Sequence, residues 1–309
     1  MMNSNAITGL VLSAIFCCIS AAFDVFVANL LQDLNPAIFI LYCFVLSTLL
    51  FSAYSLTKHK FGYMKKIRVD ISLVIFVNMA VLLNWGGLIM ALKYLEPAIV
   101  GIASVACGPA ITIILSRLFL RVPTKPTRLE KTIAWVILVG VALMLGNAYL
   151  GKSGMTATSQ AERVIGIICV LCSAIGTVIY TLLSKQLDNK GWGSYDILGM
   201  RNILMLLLAT LYCHYNGVSL VLDWQWLLVV LILSVIGHIV PIVLMQRSIS
   251  ILDPLHISLM LLLLPVFTLA LQFLDPRIAV ARESISAVVI ILVLLCLLAI
   301  SKSPAQHSR

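Results

Sequence analysis

Residues 224–246 read WQWLLVVLILSVIGHIVPIVLMQ, with no Asp, Glu, Lys or Arg among them. A helix rises about 1.5 Å per residue, so roughly 20 mostly apolar residues cover a hydrocarbon core of about 30 Å. The run is long enough for that and far too long for a barrel strand. Hydrocarbon cannot hydrogen-bond exposed backbone, which leaves the helix as the spanning form. Comparable runs occupy 6–31, 36–57, 71–92, 97–116, 132–150, 164–184, 197–215, 254–274 and 284–301. Composition agrees: 61% of residues are hydrophobic and 11% charged, where soluble domains carry roughly 45–50% and about 25%. The expected class is an all-α membrane protein with ten transmembrane helices.

The net charge of +9 is read through its placement. With a cytoplasmic N-terminus, fifteen Lys and Arg fall on inner connections, chiefly 58–68, 117–131 and 185–190, and five on outer ones, with Arg201 inside a span. Cytoplasmic loops retain Lys and Arg, so both termini are expected to be cytoplasmic, in a bacterial inner (plasma) membrane. The basic balance is then a topology signal, and nucleic acid is not an expected partner. Residues 1–8 lack a basic leader region, so the first helix is expected to remain in the mature protein. The eight cysteines all lie in spans and read as packing residues, Cys169 and Cys172 included; no metal or cofactor is expected.

The run divides into halves. Leu95-Glu96-Pro97 recurs 157 residues later as Leu252-Asp253-Pro254, Gly9 recurs as Gly166, Pro109 pairs with Pro265, and Glu130 with Glu283. Five spans per half make the second half enter the membrane from the opposite side, an inverted repeat of the kind found in transporters. The expected organisation is a first five-helix repeat over 1–150, a flexible external linker at 151–163, a second five-helix repeat over 164–301 and a cytoplasmic tail at 302–309. Pro109 and Pro265 each withhold an N–H from the carbonyl four residues earlier, so both are expected to kink their helices.

These residues resemble the EamA-type branch of the drug/metabolite transporter superfamily. The block Ala91-Leu92-Lys93-Tyr94-Leu95-Glu96-Pro97-Ala98, then Pro109 and Gly140-Val141-Ala142-Leu143, looks like that family's first repeat, and Leu252-Asp253-Pro254 with Pro265 like its second. The family often carries an acid after the fourth span, where this chain has Arg121; the second half has Asp275. The resemblance implies transport of a small metabolite, often outward.

Polar groups inside apolar spans are the candidates for chemistry, because a charge at the membrane centre costs about 2.5–3.5 kcal/mol on insertion scales. Asp24 continues a face of small and polar residues with Ser13, Cys17 and Ser20. Across the repeat, Ser20 corresponds to Thr177, Phe23 to Tyr180 and Asp24 to Thr181. Asn84 and Trp85 in the third span, Tyr180 in the sixth and His238 in the eighth complete the expected substrate-binding set with Asp24 and Ser20. Asp24 and then His238 are the expected proton-coupling groups. Arg201 is expected to snorkel to the inner surface or to pair with Asp196, with a substrate carboxylate as the alternative.

No phosphate-binding loop, H-E-x-x-H or G-x-S-x-G motif is present. The expected function is therefore a secondary active transporter, not an enzyme, taking an amino-acid-like or cationic metabolite outward by alternating access, as a monomer or homodimer in the lipid bilayer. A polyhelical lipid-modifying enzyme, or a membrane assembly or sensing protein, is the alternative.

Overall fold

The computed structural model describes residues 4–59, 61–119, 127–155, 158–251, 260–279 and 281–301. Seven helices among them are long and apolar enough to cross a membrane: Ile7–Leu30, Pro36–His59, Ile71–Tyr94, Arg128–Tyr149, Gln160–Asn189, Ser194–Tyr215 and Trp224–Met245. Pro97–Ile113 and Leu263–Leu274 are shorter apolar helices, and Arg282–Ser301 is the last described. The chain is an all-helical integral membrane protein. The tail at 302–309, Arg121 and Leu252-Asp253-Pro254 lie outside the described residues.

Several helices are interrupted, three of them beside a proline. The fourth apolar run splits into Pro97–Ala106 and Gly108–Phe119 at Cys107, two residues before Pro109. Leu262 interrupts the ninth three residues before Pro265, and helix resumes as Leu263–Leu271. Pro241 gives no N–H to the Gly237 carbonyl, and the turn ahead of it, Leu233–Ile239, winds as a π-helix. A second π-helical turn, Leu82–Gly86, interrupts the third run; such turns concentrate at functional positions. The seventh run is divided into Ser194–Met200 and Ile203–Tyr215 by Arg201 and Asn202.

Alternate connections gather at opposite ends of the bundle. At one end, Tyr63 Oη donates to the Asp196 carbonyl at 3.0 Å and Lys66 Nζ to the Gly191 carbonyl at 2.9 Å. At the other, Gln32 Nε2 donates to the Lys93 carbonyl, Tyr42 Oη to the Leu220 carbonyl, and Asn29 Nδ2 to Asp275 Oδ1. The connection at 151–163 belongs to this second end. Its start is held to the bundle: Gly154 N–H donates to buried Glu96 at 2.9 Å, and Met155 bridges Ile278. Buried backbone needs partners, and Glu96, itself held by Gln272 Nε2 at 2.7 Å, supplies one.

Helices of the first half pack mainly on helices of the second. Ser4–Leu30 lies against Val240–Ile251 and Leu263–Leu271, Pro36–His59 against Ser194–Met200 and Ile203–Tyr215, Gly87–Tyr94 against Gln160–Asn189, and Arg128–Tyr149 against Arg282–Ser301. The third and sixth runs touch through glycine. A Cβ at Gly87 would lie 2.6 Å from the Cys169 carbonyl oxygen, and one at Gly176 2.5 Å from the Asn84 nitrogen. Without small residues these backbones could not approach so closely.

Candidate functional site

The glycine contact presses the π-helical turn Leu82–Gly86 onto Gln160–Asn189 and places Asn84 and Trp85 in the middle of the bundle. Asn84 Oδ1 accepts from Thr177 Oγ1 at 2.9 Å and from Ser173 Oγ at 3.3 Å. Trp85 turns the other way, onto rings from two other helices. Its centroid is 4.9 Å from His238, on the other π-helical turn, and 5.3 Å from Phe44; Phe44 is 4.5 Å from His238. Phe23 extends the group, 6.5 Å from Trp85.

His238 is 1% exposed, and neither ring nitrogen has a hydrogen-bond partner. A buried imidazole with both nitrogens bare leaves a donor and an acceptor unused, which ordinarily costs about 1–3 kcal/mol per group. Such an arrangement is retained where a ligand or water completes it.

Next to this cluster the seventh run breaks, and the break is bridged from outside. Asn78 Nδ2 donates to the Met200 carbonyl at 3.0 Å, and its Oδ1 accepts from the Leu204 N–H at 3.1 Å. One side chain thereby caps the end of one helix and the start of the next. The residues in the gap turn inward. Asn202 Nδ2 donates to Thr48 Oγ1 at 3.0 Å, while Arg201, 5% exposed, donates from Nη1 to Tyr180 Oη at 2.8 Å and lies over that ring at 5.1 Å.

Arg201 neither snorkels nor pairs with Asp196, and both expectations are corrected. Asp196 lies at the bundle end, within 3.5 Å of His59 and 3.6 Å of Lys66, and accepts from the Gly193 N–H. The spacing held the signal: five residues along a helix is about 140° around it, so the two side chains leave on different faces.

Of the expected substrate residues, Trp85 and His238 meet in the ring cluster with Phe44, Asn84 bonds Thr177 on the neighbouring helix, and Tyr180, one turn along that helix from Thr177, holds Arg201. Asp24 and Ser20 remain on Ser4–Leu30. Asp24 is 7% exposed and makes no hydrogen bond or ion pair with any described residue; its neighbour Phe23 reaches the aromatic cluster. Pro109 and Pro265 stand beside the interruptions at Cys107 and Leu262 described above. Phe44 and Asn78 carry more of the arrangement than sequence reasoning gave them. Phe44 is indistinguishable in sequence from any apolar span residue.

A groove of about 460 Å³ also runs along the outside of the first helix, past Ile19, Phe26, Val229 and Ile236. Its lining is apolar apart from Asn29 and Asp33 and faces outward, where acyl chains lie in a bilayer.

The end that carries Tyr63 and Asp196 is also closed by Asp70. Its carboxylate accepts from the Lys190 ammonium and, at 2.9 Å, from the Trp192 indole N–H. Those two donors hold the Asp70 carboxyl below the usual range, Lys190 contributing most. The stabilisation is therefore complete above the ordinary carboxylate value of about 3.9 and is lost as pH falls through the lowered one. Lys190 is half exposed, so solvent screens the pair to about 1 kcal/mol or less. Asp70→Asn is expected to speed amide exchange in 61–70 a few-fold, measured by hydrogen–deuterium exchange at neutral pH; unchanged exchange would show that the clamp is not closed in solution.

Comparison with known proteins gives three findings. The sequence profile of the EamA-like transporter family matches residues 164–301. Among curated proteins no sequence matches this chain. A solved structure described as "Crystal structure of protein" is similar in fold, with a TM-score of 0.55 and 18% identity over 96% of this chain and 98% of that one.

Proposed function

We propose, from the match of residues 164–301 to the EamA-like transporter family of the drug/metabolite transporter superfamily, that this chain is a secondary transporter which moves a small amino-acid-like or cationic metabolite across the membrane by alternating access. The observation that carries this reading is the meeting of Trp85 and Phe44 from the first half with His238 from the second in one buried cluster. A site made by both halves changes its exposure when one half rocks on the other.

Ten spans in two inverted repeats are part of the proposal. Number the apolar runs one to ten and exchange each with the run five places on. The pairing of one with eight becomes that of six with three, and two with seven and five with ten return to themselves; all are among the observed packings. The π-helical turns fall in runs three and eight, which also exchange. Inverted halves related by a twofold axis would produce this invariance. The Lys and Arg asymmetry supports a cytoplasmic side for both termini and the Asp70 clamp, in a bacterial inner membrane, and outward movement is the direction the resemblance implies. The protein acts as a monomer or homodimer.

Purified protein in vesicles tests the reading by counterflow: preloaded solute should drive uptake of labelled solute that is recovered unaltered. Recovery of a new chemical species would support an intramembrane enzyme instead. Coupling is assigned first to Asp24, a carboxyl buried in a span. Asp24→Asn keeps its shape and removes its titration, so it is expected to abolish accumulation driven by a pH gradient while exchange continues near the parent rate. If driven accumulation persists in the variant, Asp24 does not carry the proton and His238 is the next residue to change.

A further inference from the structure

Arg201 is a cation with no counter-ion among the described residues. It is 5% exposed, its Nε has no hydrogen-bond partner, and no described carboxylate pairs with it. Tyr180 Oη, its one side-chain partner, is a neutral acceptor. The C-terminal end of Ser194–Met200, where Arg201 sits, supplies at most about half an opposite charge. An uncompensated charge in such a place costs several kcal/mol, whereas a well-oriented anion would offset that cost and satisfy the idle donors. A guanidinium is also hard to neutralise by losing its proton, so the charge calls for a counter-ion.

The neighbours say what kind of anion fits. Tyr180 accepts from Arg201 and donates to no described residue, so its O–H can join Nε in holding one oxyanion. Asn202, next to Arg201 in the break, donates to Thr48 Oγ1 one helical turn from Phe44, so the ring cluster of Phe44, Trp85 and His238, with the two bare His238 nitrogens, forms the next wall. That wall offers apolar ring faces and one donor–acceptor pair, with no second cation. From this we propose that Arg201 anchors a singly charged carboxylate of the cargo, whose apolar or ring-containing body lies against the Phe44–Trp85–His238 cluster. One cation matches a carboxylate better than a doubly charged phosphate. The assignment rests on the transport reading above and narrows its cargo from a cation or amino-acid-like solute to a carboxylate-bearing one.

The test uses the full chain in detergent and three probes that share a body and differ in charge: phenylacetate, phenylacetamide and phenethylamine. A ligand that binds the folded state raises the melting temperature. Phenylacetate is expected to do so in proportion to its concentration and the other two far less. R201Q should weaken phenylacetate binding about tenfold or more, and R201K should restore part of it, because lysine keeps the charge but loses the planar fork. If R201Q does not fold, the acid-against-amide comparison on the unaltered chain decides. The proposal is overturned if phenethylamine or phenylacetamide stabilises as well as phenylacetate, or if R201Q binds the acid normally. It is also overturned if chloride or methyl phosphate gives the same shift, or if neither phenylacetate nor acetate and hexanoate at about 10 mM gives any. Counterflow is read separately. Vesicles that exchange a solute insensitive to carboxylates would sink the carboxylate assignment and leave transport standing; Arg201-dependent carboxylate binding without exchange of any solute would do the reverse.

Discussion

Replacing Asn78 with leucine is expected to be among the most damaging single changes in this protein. The substitution keeps the branched shape and the number of side-chain heavy atoms but removes the group that caps both sides of the break at Arg201 and Asn202. The Met200 carbonyl and Leu204 N–H would then be left in an apolar interior, at about 1–3 kcal/mol each, or roughly 2–6 kcal/mol together. Thermal melting of the purified protein should register this as a large loss, with the yield of monodisperse protein falling in parallel. A melting temperature within about 1 °C of the parent would mean that the two backbone groups find other partners and that Asn78 does not hold the break. Because Arg201 sits in that gap, any variant that does survive should also bind its ligand more weakly.

Gly176→Val is expected to have a comparable effect by a different route. A Cβ there would meet the Asn84 nitrogen at 2.5 Å, the Ala80 carbonyl oxygen at 2.7 Å and the Leu83 carbonyl carbon at 2.9 Å. All three are backbone atoms of a packed helix, so the strain cannot be relieved by turning a side chain, and a cost of about 3 kcal/mol is expected. The helices would have to part, separating Asn84 from Thr177 and shifting Trp85 relative to His238. Gly146 gives the control, since a Cβ there meets nothing within 4 Å; Gly146→Val should melt close to the parent. Equal melting of the two variants would show that the third and sixth runs are not in close contact. Cysteine crosslinking between positions 84 and 177 would report the same separation independently.

Both changes act on contacts between residues far apart in the chain, and this marks the limit of what could be read without the structure. Span positions follow from composition along the chain, because each apolar stretch must find hydrocarbon on its own. The residues worth suspecting follow in the same way. Asn84, Trp85, Tyr180, His238 and Asp24 stand out because a polar or amphipathic side chain inside such a stretch is costly wherever its partners lie. Partners are another matter. Asn78 is as conspicuous in the sequence as Asn84, yet the first bridges a broken helix and the second binds two hydroxyls. Arg201 and Asp196 lie near each other in sequence and serve opposite parts of the molecule.

Legible along the chain alone are the apolar helices, Gly, Pro and acidic positions that match between its two stretches, Lys and Arg gathered in alternate connections, and a short roll of polar intruders. Each of these is a property of single residues in a local window. Only the packed bundle shows that Trp85, Phe44 and His238 share one cluster, that Glu96 holds the Gly154 backbone, and that Arg201 turns inward with no described carboxylate to meet it. These depend on which helix faces which. That choice is made by close approach at residues such as Gly87 and Gly176 and by helix breaks beside them, whose energies come from packing between distant segments and leave no periodic trace along the chain.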